Sequence, residues 1–345
     1  MSNTVYSNTV LESKMTELLN SRLEVRALMD VDDSLGEGAG LTKVINRYTY
    51  TGKVEELEDG ASNSVCGSVS FTPESYTVKR YQQTFRYNDT EAMKDPYLVD
   101  AALAGAADVM ASQIKSEYFA ELAKIKQRYH YTGSAMSYTD VVDALSGLGR
   151  EVEDNMFIIM SAEARAAIRK DADFCAARQG EIVYSGQFGT LCGIPVLFSR
   201  LVPANCAIIT DHSAVKFFVK KEASLEQDRN IETKENTIVY ERHGVIALVD
   251  DTSSVIIGKK PTLLTVTATA GSDGEAAITC TGMEDNGDDL VYAVTDTIPV
   301  VGEDLNGWED WDGSSDVELA EGKTIVVCEV DENGLCIGAG SAVCA

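Results

Sequence analysis

The chain has 345 residues, 44% of them hydrophobic, and a formal net charge of −26. This length is sufficient for two domains and a large core. No apolar run reaches the roughly 18–20 residues of a membrane span, and the N-terminus lacks the basic and apolar regions of a secretory signal. We therefore expect a protein that is made in the cytosol, with no membrane contact and no broad basic patch for nucleic acid.

The charge is unevenly distributed along the chain. Residues 261–345 contain eighteen Asp and Glu and a single base, Lys323, which gives this region a charge of −17. Such an acidic region repels its neighbours and other polyanions. Residues 1–260 carry the remaining −9.

Eight cysteines and three histidines are spread along the chain without a C-x-x-C pair. This pattern argues against a zinc site and favours small buried thiols. The sequence allows a disulfide in the last region without predicting one. The cysteines of that region are Cys280, Cys328, Cys336 and Cys344.

An amphipathic helix is predicted over residues 9–30, because apolar residues recur there at helical spacing. Such a helix cannot bury its apolar face alone, so it docks either on the body of its own chain or on another subunit. The glycine-rich residues 36–40 lack the flanking strand, helix and Lys-Ser/Thr of a phosphate loop. They predict a flexible joint.

Residues 44–51 and 75–87 are rich in β-forming side chains and enclose a charged, turn-forming tip at 55–64. Aromatic and polar groups lie on both sides of 75–87, unlike a strand that buries one face in its own core. In a monomer such a ribbon would leave aromatic edges open to aggregation. The pattern therefore predicts an arm that lies over a neighbouring subunit; the alternative is an ordinary surface hairpin.

The longest predicted element is a helix over 97–128, with Asp95 as N-cap and Pro96 in the first turn. At 1.5 Å per residue it would be a rod of ~48 Å. Alanines between its apolar positions favour packing against a sheet, although a coiled coil or bundle is the alternative. The apolar positions share one face: Val99, Leu103, Ala106, Met110, Ile114, Tyr118, Leu122 and Ile125.

Strands and helices alternate after this spine helix, which predicts an α+β or α/β body of about 170 residues. A short helix at 138–148 precedes a continuous apolar strand at 156–160, the pattern of a fully buried strand. Ser161 can cap the following helix, which runs to about Lys170. Residues 171–190 are predicted to be looser, and further strands are predicted at 193–198, 206–211, 214–219, 237–249 and 252–257.

From Pro261 onward an all-β region is predicted, because short β-rich runs alternate with Asn-Gly and Asp-Gly turns. It suits a small sandwich or barrel, immunoglobulin-like or similar. Trp308 and Trp311 either anchor its core, which we prefer, or form a surface patch. The predicted strands are 262–270, 276–280, 290–294, 317–319, 323–330 and 335–337.

The sequence lacks the common catalytic motifs G-x-S-x-G, H-E-x-x-H and G-x-x-x-x-G-K-[ST]. The segments 285–289 and 310–313 resemble calcium loops without the full EF-hand register, so we interpret them as turns. His130 and His243 are expected to pack or cap rather than to catalyse. We therefore predict no enzyme activity, no catalytic, cofactor-binding or metal-binding residues, and no cofactor.

Residues 5–258 have a characteristic order of elements: an N-terminal helix, an extended loop, a spine helix and a compact body. Together with the local sequences at 193–196, 203–211 and 240–245, it resembles the major capsid proteins of tailed double-stranded-DNA phages, the Hong Kong 97-like fold. The terminal region resembles the immunoglobulin-like or decoration-type extensions of some of these proteins. The resemblance implies an N-terminal arm at 1–35, an extended β loop at 36–90, peripheral and axial domains in 91–260 with the spine helix at 97–128, and an immunoglobulin-like or decoration-type β domain at 261–345.

The resemblance also implies a function, in which copies of the chain form the hexamers and pentamers of an icosahedral shell around the DNA genome. The shell would assemble in the host cytoplasm and be located in the virion, with the acidic terminal domain facing outward. The implied partners are other copies of the chain, a portal protein and weakly contacted packaged DNA. A separate scaffolding protein is also expected, because no long segment precedes the first helix.

The sequence does not assign a covalent cross-link, and it allows other functions. Some family members cross-link through a lysine and an asparagine, and Lys53 and Asn63 lie in the loop, but nothing in the sequence indicates their partners. If residues 261–345 are an external appendage, shells should still form without them. The alternative functions are a virion-displayed surface or carbohydrate-binding protein that uses Trp308 and Trp311, and an enzyme with an unfamiliar site in residues 150–258.

Overall fold

The computed structural model describes residues 8–22, 28–36, 40–57, 62, 64, 66–95, 97–149, 155–171, 190–271, 274–283 and 289–345. The glycine joint at 37–39, most of the loop tip including Asn63, the looser segment at 172–189 and most of the turn at 285–289 lie outside these residues. The described chain forms two compact units. The first combines Met1–Lys124 with His212–Asp250, and the second combines Ile125–Asp211 with Asp251–Ala345.

The two short helices of the second unit agree with the sequence pattern, but the longer ones differ from it at their ends. The predicted helix over 9–30 is described as Asn8–Arg22, and Asp30–Asp32 form a strand. The spine helix has Tyr97 rather than Asp95 as its N-cap, and the short helix at 89–94 was not predicted. The Ser161 hydroxyl caps its helix as predicted, since it accepts a hydrogen bond of 3.2 Å from the Ala164 N–H. Ser137 caps the short helix before it in the same way, through the Asp140 N–H. The described helices are α1 Asn8–Arg22, α2 Asp89–Lys94, α3 Leu98–Leu122, α4 Tyr138–Gly147 and α5 Ala162–Lys170.

The strands of the body are longer and more numerous than the sequence predicted, above all at 215–229. The continuous apolar strand at 156–160 is buried at every position, as predicted. The body strands are β1 Asp30–Asp32, β2 Thr42–Thr51, β3 Ser68–Thr77, β4 Lys79–Asn88, β5 Arg128–Tyr131, β6 Met156–Met160, β7 Thr190–Leu191, β8 Ile194–Phe198, β9 Ala207–Asp211, β10 Val215–Arg229, β11 Glu235–Leu248 and β12 Val255–Lys259.

The spine helix α3 ends at Leu122, short of the predicted Arg128. The backbone beyond it joins a sheet, because β5 pairs in parallel with β12 and the Ile256 N–H donates to the Gln127 carbonyl at 3.0 Å. The eight predicted apolar positions are nevertheless all buried. Ile125 continues the apolar pattern without being helical, since a buried loop residue needs an apolar side chain as much as a buried helical one.

In the first unit, the sheet has the strand order β1-β10-β11-β4. The long antiparallel hairpin of β10 and β11 forms its centre, and α3 packs against β11. The segment 79–88 adds to this sheet as the edge strand β4, paired with β11 from Lys79↔Gly244 to Asn88↔Glu235. The prediction that 75–87 is one arm of the ribbon is therefore wrong for most of its length.

In the second unit, strands from residues 128–211 together with β12 at Val255–Lys259 form a six-stranded sheet of order β5-β12-β9-β6-β8-β7. The central strand β6 pairs antiparallel with β9 and parallel with β8. Its side chains join a core with α4 and α5. This arrangement explains why Met156–Met160 is an uninterrupted apolar run: both faces of the strand are covered.

The terminal region forms two sheets of its own, one of order β13-β20-β19-β16-β17 and one of order β14-β15-β18. A core that includes Trp311 lies between them, and a second core covers the other face of the larger sheet. Trp311 is thus a core residue, as preferred, while Trp308 is half-buried. The strands are β13 Thr262–Leu263, β14 Thr265–Ala270, β15 Glu275–Thr281, β16 Asp289–Ala293, β17 Glu309–Trp311, β18 Val317–Glu318, β19 Thr324–Val330 and β20 Cys336–Val343.

Candidate assembly surface

The most conspicuous surface of the first unit is the two-stranded ribbon formed by β2 and β3. The strands pair antiparallel over ten residues each, from Thr42↔Thr77 to Thr51↔Ser68. In the described residues this pair is a separate sheet. At about 3.3 Å per residue the ribbon extends ~33 Å. A two-stranded hairpin of this kind is marginally stable on its own.

One face of the ribbon is apolar and exposed. The register places Tyr48 opposite Phe71 and Tyr50 opposite Val69, so these side chains share a face. The Tyr48 and Phe71 rings are 6.2 Å apart, and 68%, 70% and 61% of the Tyr48, Tyr50 and Phe71 residues are exposed. We call this surface the ribbon face: Val44, Tyr48, Tyr50, Val69, Phe71 and Pro73.

The opposite face of the ribbon is anchored to the unit at its base. Ile45 and Tyr76 are buried there against Phe218 and Val245. The Tyr76 hydroxyl donates to the Leu248 carbonyl at 3.4 Å, and its burial raises the pKa of this phenol well above the usual value. Anchoring on one face orients the other face away from the core of its own unit.

An arginine links the two strands to the sheet. Arg47 donates to the Leu248 carbonyl at 3.2 Å and pairs with the Glu74 carboxylate at 2.9 Å. Lys43 lies 4.7 Å above the Phe218 ring, a cation–π contact. These contacts hold the base of the ribbon in a defined direction while its outer half carries the exposed aromatic groups.

The sequence pattern identified an amphiphilic ribbon but assigned its second strand wrongly. The correct second strand could have been recognised from Val69, Phe71 and Pro73. These residues alternate with Ser70 and Thr72 and so place apolar groups on one side of the strand. The two-sided appearance of 75–87 arose because Tyr76 belongs to the ribbon, whereas Tyr81 and the residues around it belong to the edge strand β4.

The N-terminal helix does not contribute a free apolar face. Leu11, Met15 and Leu19 are buried in α1, which packs against α3 and β10 of the same chain. Lys14 pairs with Asp100 of α3 at 2.9 Å. Of the two predicted docking modes, the structure shows α1 on its own chain.

Among the described residues, no group of three or more His, Cys, Asp or Glu could hold a metal ion, and no helix is long and apolar enough to cross a membrane. The Asp312 carboxylate accepts from the N–H groups of Ser314 and Ser315 at 2.9 and 2.7 Å, which confirms a turn from Asp312 onward. Asp310 and Trp311, the first half of the predicted turn, belong to strand β17. His130 lies 3.2 Å from the Pro299 carbonyl, and Lys53 is exposed.

No known family profile matches the sequence. A major capsid protein of Staphylococcus phage phiMR11 is 22% identical over 263 residues, which are 72% of this chain and 92% of that protein. The solved capsid of a native GTA particle superposes with a TM-score of 0.57 at 14% identity, over 68% of this chain and 89% of that one. The capsid protein of cyanophage P-SCSP1u superposes with a TM-score of 0.54 at 10% identity, over 66% of this chain and 85% of that one.

A virus-like particle from Pyrococcus furiosus also matches, with a TM-score of 0.51 at 12% identity over 72% of this chain and 98% of that one. At such low identities these superpositions establish the fold alone. The chain has the fold of these shell proteins, with the ribbon and the spine helix in the predicted order.

Proposed function

We propose that this chain, which has the Hong Kong 97-like fold, is the major capsid protein of a tailed phage. Its copies would assemble as hexamers and pentamers into an icosahedral shell around double-stranded DNA, and the protein would be located in the virion. The observation that carries the proposal is the exposed ribbon face on an anchored two-stranded arm. The similarity to the phiMR11 capsid protein over 92% of its length supports it.

The energetics of the ribbon face favour a partner subunit. Burying a side chain of the size of Phe contributes about 1.5–3 kcal/mol, so the exposed two thirds of three rings represent about 3–6 kcal/mol per arm. In a monomer these rings stay in water, so the burial energy is not gained and an aggregation-prone surface is exposed. Contacts repeated around a closed shell recover it in every copy without leaving an open end.

Within this proposal, the first unit corresponds to the peripheral domain, since it contains the spine helix α3 and the long β10–β11 hairpin. The six-stranded sheet of the second unit corresponds to the axial domain around the five- and six-fold axes. A scaffolding protein and a portal protein are proposed as further partners, with weak contact to packaged DNA. Residues 1–260 carry −9 of the net charge, which suits an inner surface that does not hold DNA tightly.

We further propose that the terminal β region faces outward, as an immunoglobulin-like or decoration-type domain. Its charge of −17 would keep particles apart and away from released DNA. The compared proteins match 66–72% of this chain, which leaves about a third of it outside the match, somewhat more than the length of residues 261–345.

The ribbon face can be tested with the double variant Tyr48→Ser/Phe71→Ser. The chain should fold as before, because both side chains are exposed, but shell formation should fall at least tenfold in sedimentation and negative-stain imaging. The protein is expressed with its phage's scaffolding protein. Leu263→Ser is the control, since 72% of Leu263 is exposed on a strand of the terminal region.

Shells from the control and none from the double variant support the proposal. Normal shells from the double variant would show that the ribbon face is not an assembly contact. A wild-type chain that stays monomeric at every concentration, with and without scaffolding protein, would overturn the capsid function itself.

A further inference from the structure

The terminal region contains an open pocket of about 300 Å³ that no part of the proposed shell function uses. The pocket lies where the edge strand β17 of the larger sheet comes next to the edge strand β18 of the smaller one. Its volume is at the small end of ligand-binding pockets. The residues that line it are Tyr292, Ala293, Val294, Gly307, Trp308, Glu309 and Glu318.

Two aromatic residues form part of the wall. Trp308 is half-buried and packs on the core beneath the larger sheet, while Tyr292 packs on the core between the sheets. The Tyr292 hydroxyl donates to Glu309, its neighbour across the β16–β17 pair. Both side chains are therefore held in place by packing or by a hydrogen bond.

The two glutamates at the pocket have no cationic partner among the residues that the structure describes. None of the ion pairs among the described residues involves Glu309 or Glu318. The β15–β18 register also places Glu318 directly opposite Glu275, and like charges in that position repel each other. The only base of residues 261–345, Lys323, is not among the lining residues. The pocket thus combines excess negative charge with two aromatic residues, which come from opposite faces of the larger sheet.

We propose that this pocket binds the cationic side chain, arginine or lysine, of an extended basic segment of another protein. A guanidinium or ammonium group would lie against the Trp308 or Tyr292 ring and pair with Glu309 and Glu318. A neutral sugar could stack on the same rings but would leave the two carboxylates uncompensated. β17 is the last strand of its sheet, so the backbone of an extended segment would pair with the outer edge of this strand.

The proposal can be tested on the full chain with acetyl-arginine methylamide, its neutral citrulline analogue and N-acetylglucosamine as probes. The chain has only two tryptophans and Trp311 is buried, so a fluorescence change on titration reports mainly Trp308. Calorimetry provides a second readout. We expect saturable binding of the arginine probe, at least tenfold tighter than that of the citrulline probe and of the sugar.

Three variants locate the binding. Glu309→Gln/Glu318→Gln should raise the dissociation constant of the arginine probe at least tenfold. Glu332 is an exposed glutamate outside the pocket, and Glu332→Gln should change this constant less than twofold. Gly307→Leu should also block binding, because a Cβ at Gly307 meets no atom within 4 Å and a longer side chain can fill the mouth of the pocket.

Equal binding of the arginine and citrulline probes, preferential binding of the sugar, or an equal loss in Glu332→Gln would overturn the proposal. So would unaltered binding in correctly folded Gly307→Leu. This inference goes beyond the capsid function, and the assay needs no shell. A failed titration leaves the shell proposal standing, and failed assembly leaves the titration interpretable.

Discussion

A buried ion pair joins the terminal region to the six-stranded sheet of the same unit. The Arg128 guanidinium approaches the Glu303 carboxylate at 2.6 Å and 3.3 Å, a two-pronged contact. Only 6% and 14% of the two side chains are exposed. Glu303 also accepts from the Val300 N–H at 3.0 Å, so one carboxylate organises the loop and compensates the arginine.

Glu303→Ala should therefore be strongly destabilising. It leaves the Arg128 charge buried without its counter-ion, a change that costs about 3–5 kcal/mol in known cases. Replacing both partners removes the buried charge altogether, so Arg128→Met/Glu303→Leu should recover most of this loss. The contrast between the single and double variants separates an uncompensated charge from lost packing.

Urea unfolding followed by tryptophan fluorescence measures the effect, since both tryptophans lie in residues 261–345. The control is Thr267→Ala, which removes an exposed hydrogen bond to Thr279 within the same unit and should cost about 1 kcal/mol or less. A Glu303→Ala variant within 1 kcal/mol of the wild type would refute the reasoning. So would a double variant as unstable as the single one.

Two further predictions concern the second unit. Gly258→Ala should lower the free energy of unfolding by about 1–3 kcal/mol in urea titrations, because its Cβ would lie 2.5 Å from the Val300 Cβ. Adding Val300→Ala should restore part of the lost stability. A Gly258→Ala variant as stable as the wild type would refute the close approach. Backbone N–H groups lower the pKa of Asp312 to about 2, so its contribution to stability is present above its unfolded pKa of about 4 and is lost as the pH falls toward 2. The urea midpoints of wild type and Asp312→Ala should accordingly converge over that range, and a difference that persists at pH 2 would contradict the assignment.

The buried pair also bears on the terminal region as an appendage. Truncation at residue 260 would remove Glu303 and expose Arg128, together with the Gly258 surface that Val300 covers. Shells can therefore form without residues 261–345 only if the remaining chain stays folded with Arg128 and the surface at Gly258 exposed. The sequence showed the change of composition at Pro261 but gave no sign of these contacts.

Local features were predicted well where a single stretch of sequence determines them. The buried strand at 156–160, the Ser161 cap and the one-sided apolar pattern of the spine helix depend on side-chain periodicity and on hydrogen bonds within a few residues. Two hairpin turns of the terminal region follow from backbone freedom. Gly274, between β14 and β15, and Gly334, between β19 and β20, adopt positive φ, as their Asp-Gly and Asn-Gly sequences predict. Gly307 of the predicted Asn-Gly turn at 306–307 does not adopt positive φ.

The partner of each surface was decided only by the tertiary structure. The sequence showed that α1 and the ribbon needed covering, but not that α1 packs on α3 of its own chain while the ribbon face stays open. It could not assign β4 to β11 rather than to β2, because strand pairing joins residues far apart in the chain and every strand offers the same backbone groups. Periodicity determines which side of an element is buried; the geometry of the whole chain determines what buries it.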